Sequence, residues 1–183
     1  MNFAELVQIR PSVRRYQDRP VESEKLQAIV ESVRLAPSAS NGQPWTLIIV
    51  DEPLLKDKVA RATFSGAVSF NRFSLEAPVI AVLTVEKTNV ITQIGGWLKR
   101  REFPLIDIGI AAEHLCLQAA DLGLGTCMIG WFDEKAIKRL LDIPRSTRVG
   151  LLITLGYAVE GYPLRPKARK DTDAMSRHNA YRR

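Results

Sequence analysis

The chain has 183 residues, of which 46% are hydrophobic and 25% are charged, and its formal net charge is +6. This composition suits a single domain with a buried core and excludes a disordered tail or a low-complexity scaffold. Its apolar runs fall short of the roughly 20 residues that a membrane-spanning helix needs. Charged residues interrupt the N-terminal segment, which argues against a secretory signal. We therefore expect a cytoplasmic protein without a membrane segment.

The first predicted elements are a helix and two strands. Apolar residues recur at helical spacing at Leu26, Ile29, Val30 and Val33. This pattern, closed by a proline, predicts a helix over residues 23–35. Two runs rich in β-branched residues follow at 45–50 and 79–85. We expect both runs to be buried strands.

The second half of the chain predicts a long central helix over residues 105–122, because this segment is apolar around most of its circumference. Gly123 and Gly125 end it, and a strand or extended crossing over 126–131 follows. Asp133 is a suitable N-cap for a helix that runs to Leu141. Residues 149–156 predict the last strand. Helices and strands alternate without a strict βαβ rhythm, which indicates the α+β class.

The segment after Gly161 has few large apolar residues and cannot form a core of its own. It must therefore lie against something else or remain disordered. No linker or internal repeat divides the chain, so we expect one domain over residues 1–183.

Several common chemistries lack their residues. The two cysteines, Cys116 and Cys127, are too few for a disulfide framework and are expected to be buried free thiols. The two histidines and these thiols lack the spacing of a metal site, so we expect no metal. No acid and base pair is recognisable, and an enzyme would therefore need a cofactor that carries the reaction.

Basic residues cluster over 10–19, 99–101 and 165–170, which permits either a polyanionic partner such as nucleic acid or a small anionic ligand. They form no single stripe on one helix, and this favours the small ligand. Arg10, Ser12 and Arg14 lie within five residues and suit a dianionic phosphate, although an ordinary solvated loop is the alternative. Residues 36–45 form a polar loop that is rich in hydrogen-bonding side chains and precedes a strand.

These segments together make the sequence resemble the flavin-dependent nitroreductase family. The matching motifs are Arg10-x-Ser12-x-Arg14, Pro37-Ser38 with Asn41-x-Gln43-Pro44-Trp45, the run from Gly123 to Gly130, and Lys167-x-Arg169. Each motif is weak alone, but they occur in the family's order and span nearly the whole chain.

The resemblance implies an α+β fold with a central, mainly antiparallel sheet flanked by helices, assembled as an intertwined homodimer with one FMN at each end of the interface. It implies that Arg10, Ser12 and Arg14 bind the phosphate, the ribityl chain and the pyrimidine edge of the ring. It also implies that Lys167 and Arg169 complete the phosphate site. The arm over 161–183 would then pack on the partner subunit.

The resemblance further implies which segments line the flavin ring. Pro37, Ser38 and Asn41 would pack against the ring from the other subunit. The stretch formed by Met128, Ile129, Gly130 and Trp131 would run beside it, with a backbone N–H of Gly130 or Trp131 donating to flavin N5.

The activity implied is an FMN-dependent oxidoreductase that takes hydride from NADH or NADPH and reduces a small planar acceptor, a nitroaromatic or a quinone, by a ping-pong mechanism. No side chain is expected to be indispensable as a general acid or base. A protein that holds or senses flavin without turnover, and a related chemistry such as reductive dehalogenation, remain alternatives.

The sequence departs from the family's usual pattern at two positions. Pro11 stands where a second arginine is frequent, and Trp131 stands where a small residue is often found and is expected to narrow the substrate side. The segments 65–71 and 89–102 are expected to border the opening. Trp97 and Phe103 are candidates either for a lid or for the core.

Overall fold

A computed structural model describes residues 2–86 and 102–181, so the expectations for Trp97 and for 89–101 lie outside the described residues. The helices are α1 (Phe3–Ile9), α2 (Ser23–Arg34), α3 (Pro53–Arg61), α4 (Phe103–Asp121), α5 (Glu134–Leu140) and α6 (Thr172–Met175). The strands are β1 (Leu47–Val50), β2 (Val79–Val85), β3 (Gly125–Ile129) and β4 (Arg148–Gly156). The predicted helices and strands are all present, with bounds shifted by a few residues at most.

The strands of the described ranges form one sheet in the order β1-β2-β4-β3, and each neighbouring pair is antiparallel. Strands β2 and β4 occupy the centre, and residues 79–83 of β2 are fully buried. Strand β1 is only partly buried, since it lies at an edge of the sheet and only Val50 is enclosed. The prediction of two buried strands is therefore confirmed for β2 and wrong for most of β1.

Helix α4 lies against one face of the sheet and supplies the centre of the main core. Its buried residues are Asp107, Ile108, Ala111, Ala112, Leu115, Cys116, Ala119 and Ala120. The helix is long and apolar enough to cross a membrane by length and composition, although the sequence runs suggested no such segment. Its buried face packs on β2, β4 and α2, as expected for the core helix of a globular domain.

Both cysteines are free and buried, as predicted. Burial raises the pKa of Cys116 to about 11 and raises the pKa of Cys127 as well. A thiol held protonated in this way is a poor nucleophile and a poor metal ligand. The two side chains therefore act as small apolar core residues.

Helix α3 was not predicted, and its start explains why it forms. The Glu52 side chain accepts hydrogen bonds from the backbone N–H groups of Leu54, at 3.0 Å, and Leu55, at 2.6 Å. Pro53 occupies the first helical position, where its missing N–H costs nothing. Helices α3 and α5 cover the second face of the sheet, where Val59 and Ile137 are fully buried.

A polar cluster fixes the start of α2 to the residue that follows β4. The Tyr157 hydroxyl donates to Glu22 Oε2 at 2.6 Å, and Lys25 Nζ donates to the same hydroxyl at 2.8 Å. The Arg19 guanidinium lies 3.8 Å from the centre of the Tyr157 ring and also binds Glu22. These contacts, the Tyr157 hydrogen bond first, lower the pKa of Glu22 to about 2.

The lowered pKa of Glu22 predicts an acid-dependent contribution to stability. The contribution is complete above the unfolded pKa of roughly 4.3 and is lost as the pH falls towards about 2. We expect Glu22→Gln to lower the free energy of unfolding at pH 7 and to match the unsubstituted protein at the acid end of this window. Urea unfolding across this pH range measures the difference. Asp51→Asn, which removes an exposed carboxylate after β1, is the control. The prediction is contradicted if Glu22→Gln lowers the free energy of unfolding by the same amount at every pH.

Candidate cofactor site

The two ends of the chain meet around a cavity of about 1020 Å³. Five predicted cofactor-binding residues line it, namely Arg10, Ser12, Arg14, Lys167 and Arg169. Arg15 and Arg165 also line it. The structure therefore brings the N-terminal and C-terminal basic motifs together, although more than 150 residues separate Arg10 from Lys167 in the sequence.

The N-terminal side of the cavity is an extended segment held against β3. Ser12 pairs with Thr126 in a parallel bridge, and Val13 N donates to Thr126 O at 2.8 Å. Because side chains of an extended chain alternate between faces, the buried Val13 leaves Ser12 and Arg14 exposed towards the cavity. Gly125 gives Val13 its space, since a Cβ there would lie only 2.8 Å from the Val13 Cβ.

Tyr16 also holds this segment in place, through hydrogen bonds of its buried side chain. Its hydroxyl donates to the Val13 carbonyl at 2.8 Å and lies 2.8 Å from Thr154 Oγ1 on β4. Its backbone forms an antiparallel bridge with Ala158. Burial raises the pKa of Tyr16 far above its usual value, so the hydroxyl stays protonated. This support could not be predicted from the sequence, because it depends on a contact between residues 138 positions apart.

The C-terminal side of the cavity is held to the segment through polar contacts. Tyr162 Oη accepts from the Arg14 N–H at 3.1 Å and donates to the Ser12 carbonyl at 3.2 Å. Lys167 Nζ donates to the Arg10 carbonyl at 2.6 Å. The first part of the arm therefore lies on its own chain, because these hydrogen bonds replace the apolar contacts that its sequence lacks. Packing of the rest on a partner stays a prediction.

The charges around the cavity suit a phosphate. Burial, followed by repulsion from Arg10 and Arg169, lowers the pKa of Lys167. Glu113 on α4 forms an ion pair with Arg10, with 3.1 Å between Arg10 Nε and Glu113 Oε1. This ion pair engages the Arg10 Nε and orients the guanidinium. A phosphomonoester of about −1.5 to −2 charge would relieve the mutual repulsion of these cations.

The effect of Glu113 on FMN affinity can be tested by substitution. An orienting contact with Arg10 and a simple negative charge near the phosphate predict opposite changes in that affinity. If Glu113 orients Arg10 for a phosphate, Glu113→Gln weakens the affinity for FMN, whereas removal of a nearby negative charge alone would strengthen it. We expect a loss of about tenfold, the size of one charge-assisted hydrogen bond. Fluorescence titration with FMN measures it. Glu24→Gln, at the start of α2, is the charge-matched control, and tighter binding by Glu113→Gln contradicts the orienting role.

The predicted ring-side stretch begins on β3 and continues beyond its end. The Met128 side chain is 39% exposed and the Trp131 side chain is 59% exposed. Ile129 is buried in the core, which leaves only its backbone for contact with a ligand. A Cβ at Gly130 would meet nothing within 4 Å, so within the described residues no neighbour there requires a glycine.

Asn71 supports the predicted ring-side stretch, although no motif in the sequence pointed to it. It is buried, and its Nδ2 donates to the carbonyls of Trp131 and Thr63 at 3.1 Å each. The Phe70 and Trp131 rings meet edge to face, with 6.5 Å between their centroids. The segment expected to border the opening thus lies beside Trp131. The only signal for Asn71 was its place in that segment.

The loop with Pro37, Ser38 and Asn41 lies against α4, where Ala39 N donates to Asp107 Oδ1 at 3.1 Å. We call the cavity between the two chain ends, lined by the basic residues named above, the cation cavity. Within residues 2–86 and 102–181, no hydrogen bond or ion pair joins this loop to the residues that line it. Contact of this loop with the flavin of another subunit, which the resemblance implied, stays a prediction.

The residues present fit FMN in two respects. The lining of the cation cavity combines the Ser12 hydroxyl with six guanidinium or ammonium groups, the type of donor that a terminal phosphate requires: Arg10, Arg14, Arg15, Arg165, Lys167 and Arg169. The cavity volume is also of the size that small-molecule ligands occupy.

Comparisons with known proteins point to one family. The family model described as "Nitroreductase family" matches residues 7–157. A Thermus thermophilus protein named NADH dehydrogenase is 30% identical, with 84% of this chain and 86% of the relative covered. A Bacillus subtilis protein named FMN reductase [NAD(P)H] is 28% identical over 87% of this chain and 65% of its own length.

A solved structure extends the likeness to the fold. The FMN-dependent nitroreductase from Clostridium difficile superimposes with a TM-score of 0.77 and is 27% identical, with 98% of this chain and all of the other chain covered. The chain therefore shares its overall fold with a known structure. The chain is a member of the nitroreductase family.

Proposed function

We propose that this protein is an FMN-dependent oxidoreductase that oxidises NADH or NADPH and reduces a small planar acceptor, a nitroaromatic or a quinone. The observation that carries the proposal is the convergence of Arg10, Arg14, Lys167 and Arg169 on one cavity beside β3. The names of the relatives, which include an FMN reductase and an NADH dehydrogenase, support the same chemistry.

The residues of the chain bind and orient the cofactor. The cations and Ser12 would hold the phosphate and the ribityl chain, while the backbone of Gly130 or Trp131 would donate to flavin N5. Bound FMN supplies the hydride and electron transfer. Among the described residues, no group of three or more His, Cys, Asp and Glu side chains could hold a metal ion. The chemistry proposed needs none.

The proposed active form is a homodimer, and an uncovered apolar face supports it. Phe3 on α1 is 71% exposed and Ile106 on α4 is 54% exposed. Both line a groove of about 790 Å³ between the two helices. A helix that is apolar around most of its circumference needs a cover on each side, and a second subunit provides one. Sedimentation equilibrium should give twice the chain mass of 20.5 kDa.

Steady-state kinetics test the reaction order. With FMN bound, we expect initial rates at several fixed acceptor concentrations to give parallel double-reciprocal lines against NADPH or NADH. Nitrobenzoate and a benzoquinone are the acceptors, and an iodinated phenol tests the dehalogenation alternative. Intersecting lines contradict the ping-pong order. Turnover of the iodinated phenol alone contradicts the proposed acceptor class.

A further inference from the structure

Asp107 is a buried carboxylate with an unusual environment. It lies on α4, is only 3% exposed, and faces the loop that follows α2. Its Oδ1 accepts the Ala39 N–H at 3.1 Å, whereas its buried Oδ2 has no hydrogen-bond partner among the described residues. An unpaired buried carboxylate oxygen lowers stability, and apolar residues often replace such groups without loss. Fold stability alone therefore does not favour aspartate at this position.

The loop that Asp107 holds has a strained backbone. Three of its residues that are not glycine adopt the left-handed region, with φ of 51° at Ser40, 52° at Asn41 and 43° at Gln43. Of serine, asparagine and glutamine, only asparagine enters this region with ease. Such strain persists where the surrounding structure fixes the backbone, and it concentrates at ligand-binding sites.

Hydrogen bonds inside the loop maintain its shape but do not fix its position. Ser38 Oγ accepts the Gln43 N–H at 2.9 Å, and Gly42 N donates to the Ala39 carbonyl at 3.0 Å. Among the described residues, the bond from Ala39 to Asp107 is the hydrogen bond that joins the turn of this loop to α4. Its loss would let the turn shift against the helix, and the hydrogen bonds of Asn41 N and Gly42 N inside the turn would then open more often.

We propose that Asp107 is a positioning residue: its carboxylate fixes the turn over residues 39–41 on α4 and so places Pro37, Ser38 and Asn41 for contact with the flavin. This inference rests on the proposed function, since it assumes that the loop faces the cofactor. The unpaired Oδ2 lowers the stability of the fold. In return, the same carboxylate provides the acceptor for the Ala39 N–H.

Three variants separate the hydrogen bond from the charge and from the packing. Asp107→Asn retains an acceptor oxygen and removes the charge. Asp107→Leu removes both at similar volume. Ala39→Pro deletes the donor from the loop side; the extended Ser38, with φ −145° and ψ 158°, accepts a following proline, and the first position of a helical turn suits it.

Two readouts apply to each variant. One is the amide exchange of Asn41 and Gly42 by NMR in the flavin-free protein, and the other is FMN affinity by fluorescence titration. We expect Asp107→Leu and Ala39→Pro to accelerate exchange and to weaken FMN affinity about tenfold. Asp107→Asn should stay within about twofold of the unsubstituted protein.

The outcomes that overturn the inference are distinct. Unchanged exchange and affinity in both Asp107→Leu and Ala39→Pro overturn it, and so does an Asp107→Asn variant as weak as Asp107→Leu, because the charge would then matter. If Asp107→Leu does not fold by circular dichroism, Ala39→Pro decides alone. If the unsubstituted protein does not bind FMN, the proposed function fails, while amide exchange still tests whether Asp107 holds the turn.

Discussion

Arg14→Ala and Arg169→Ala should each weaken FMN binding by about tenfold to a hundredfold, the effect of one lost charge-assisted hydrogen bond to phosphate. Both side chains line the cation cavity from opposite ends of the chain. The Arg14 guanidinium lies 5.8 Å from the centre of the Phe73 ring, a contact that supports its orientation. Fluorescence titrations with FMN and with riboflavin measure the effect.

Riboflavin lacks the phosphate and separates a phosphate site from a ring site. We expect its affinity to change little in either arginine variant, so that the preference for FMN over riboflavin shrinks. Arg61→Ala, at the exposed end of α3, makes the same change in net charge and is the control. If neither Arg14→Ala nor Arg169→Ala weakens FMN binding more than Arg61→Ala does, the phosphate assignment is wrong.

Gly125→Ala should destabilise the protein and weaken FMN binding together. The new Cβ would lie 2.8 Å from the Val13 Cβ and still closer to a Val13 methyl carbon, so the segment with Ser12 and Arg14 must move off β3. Overpacking of this kind costs about 1–3 kcal/mol. Urea unfolding of the flavin-free protein and an FMN titration measure the two effects.

Two further variants show whether the clash with Val13 is the cause. Gly66→Ala is the control, since a Cβ there would meet nothing within 4 Å. The double variant combines Gly125→Ala with Val13→Ala, which removes the methyl groups that the new Cβ would clash with. We expect the double variant to recover part of the FMN affinity that Gly125→Ala loses. If the loss of FMN binding free energy in the double variant equals the sum of the losses in the two single variants, the steric explanation is contradicted.

The elements that followed from sequence are those that local pattern determines. Helix α2 came from the spacing of its apolar residues, and α4 from its length and composition. The Asp133 cap of α5 was also predicted, and its Oδ1 accepts the Ala136 N–H at 3.0 Å. In contrast, α3 was missed although Glu52-Pro53 carries a helix-start signal, because a helix of nine residues leaves few turns in which an apolar period can be recognised.

The features that sequence could not give depend on contacts between distant segments. The partial exposure of β1 follows from its place at the sheet edge, which strand pairing determines. The roles of Tyr16 and Asn71 depend on partners 138 and 60 residues away. The orphaned oxygen of Asp107 is visible only once the packing around α4 is known. The basic motifs were found because charged residues stand out in sequence, but their meeting in one cavity required the fold.

The most direct test is a visible absorption spectrum of the purified protein, mixed with FMN, desalted, and recorded before and after NADPH or NADH is added without oxygen. The proposed function predicts a retained flavin spectrum that bleaches with at least one nicotinamide. A retained spectrum that neither nicotinamide bleaches would instead support a protein that holds or senses flavin. A colourless desalted protein would contradict the cofactor assignment itself.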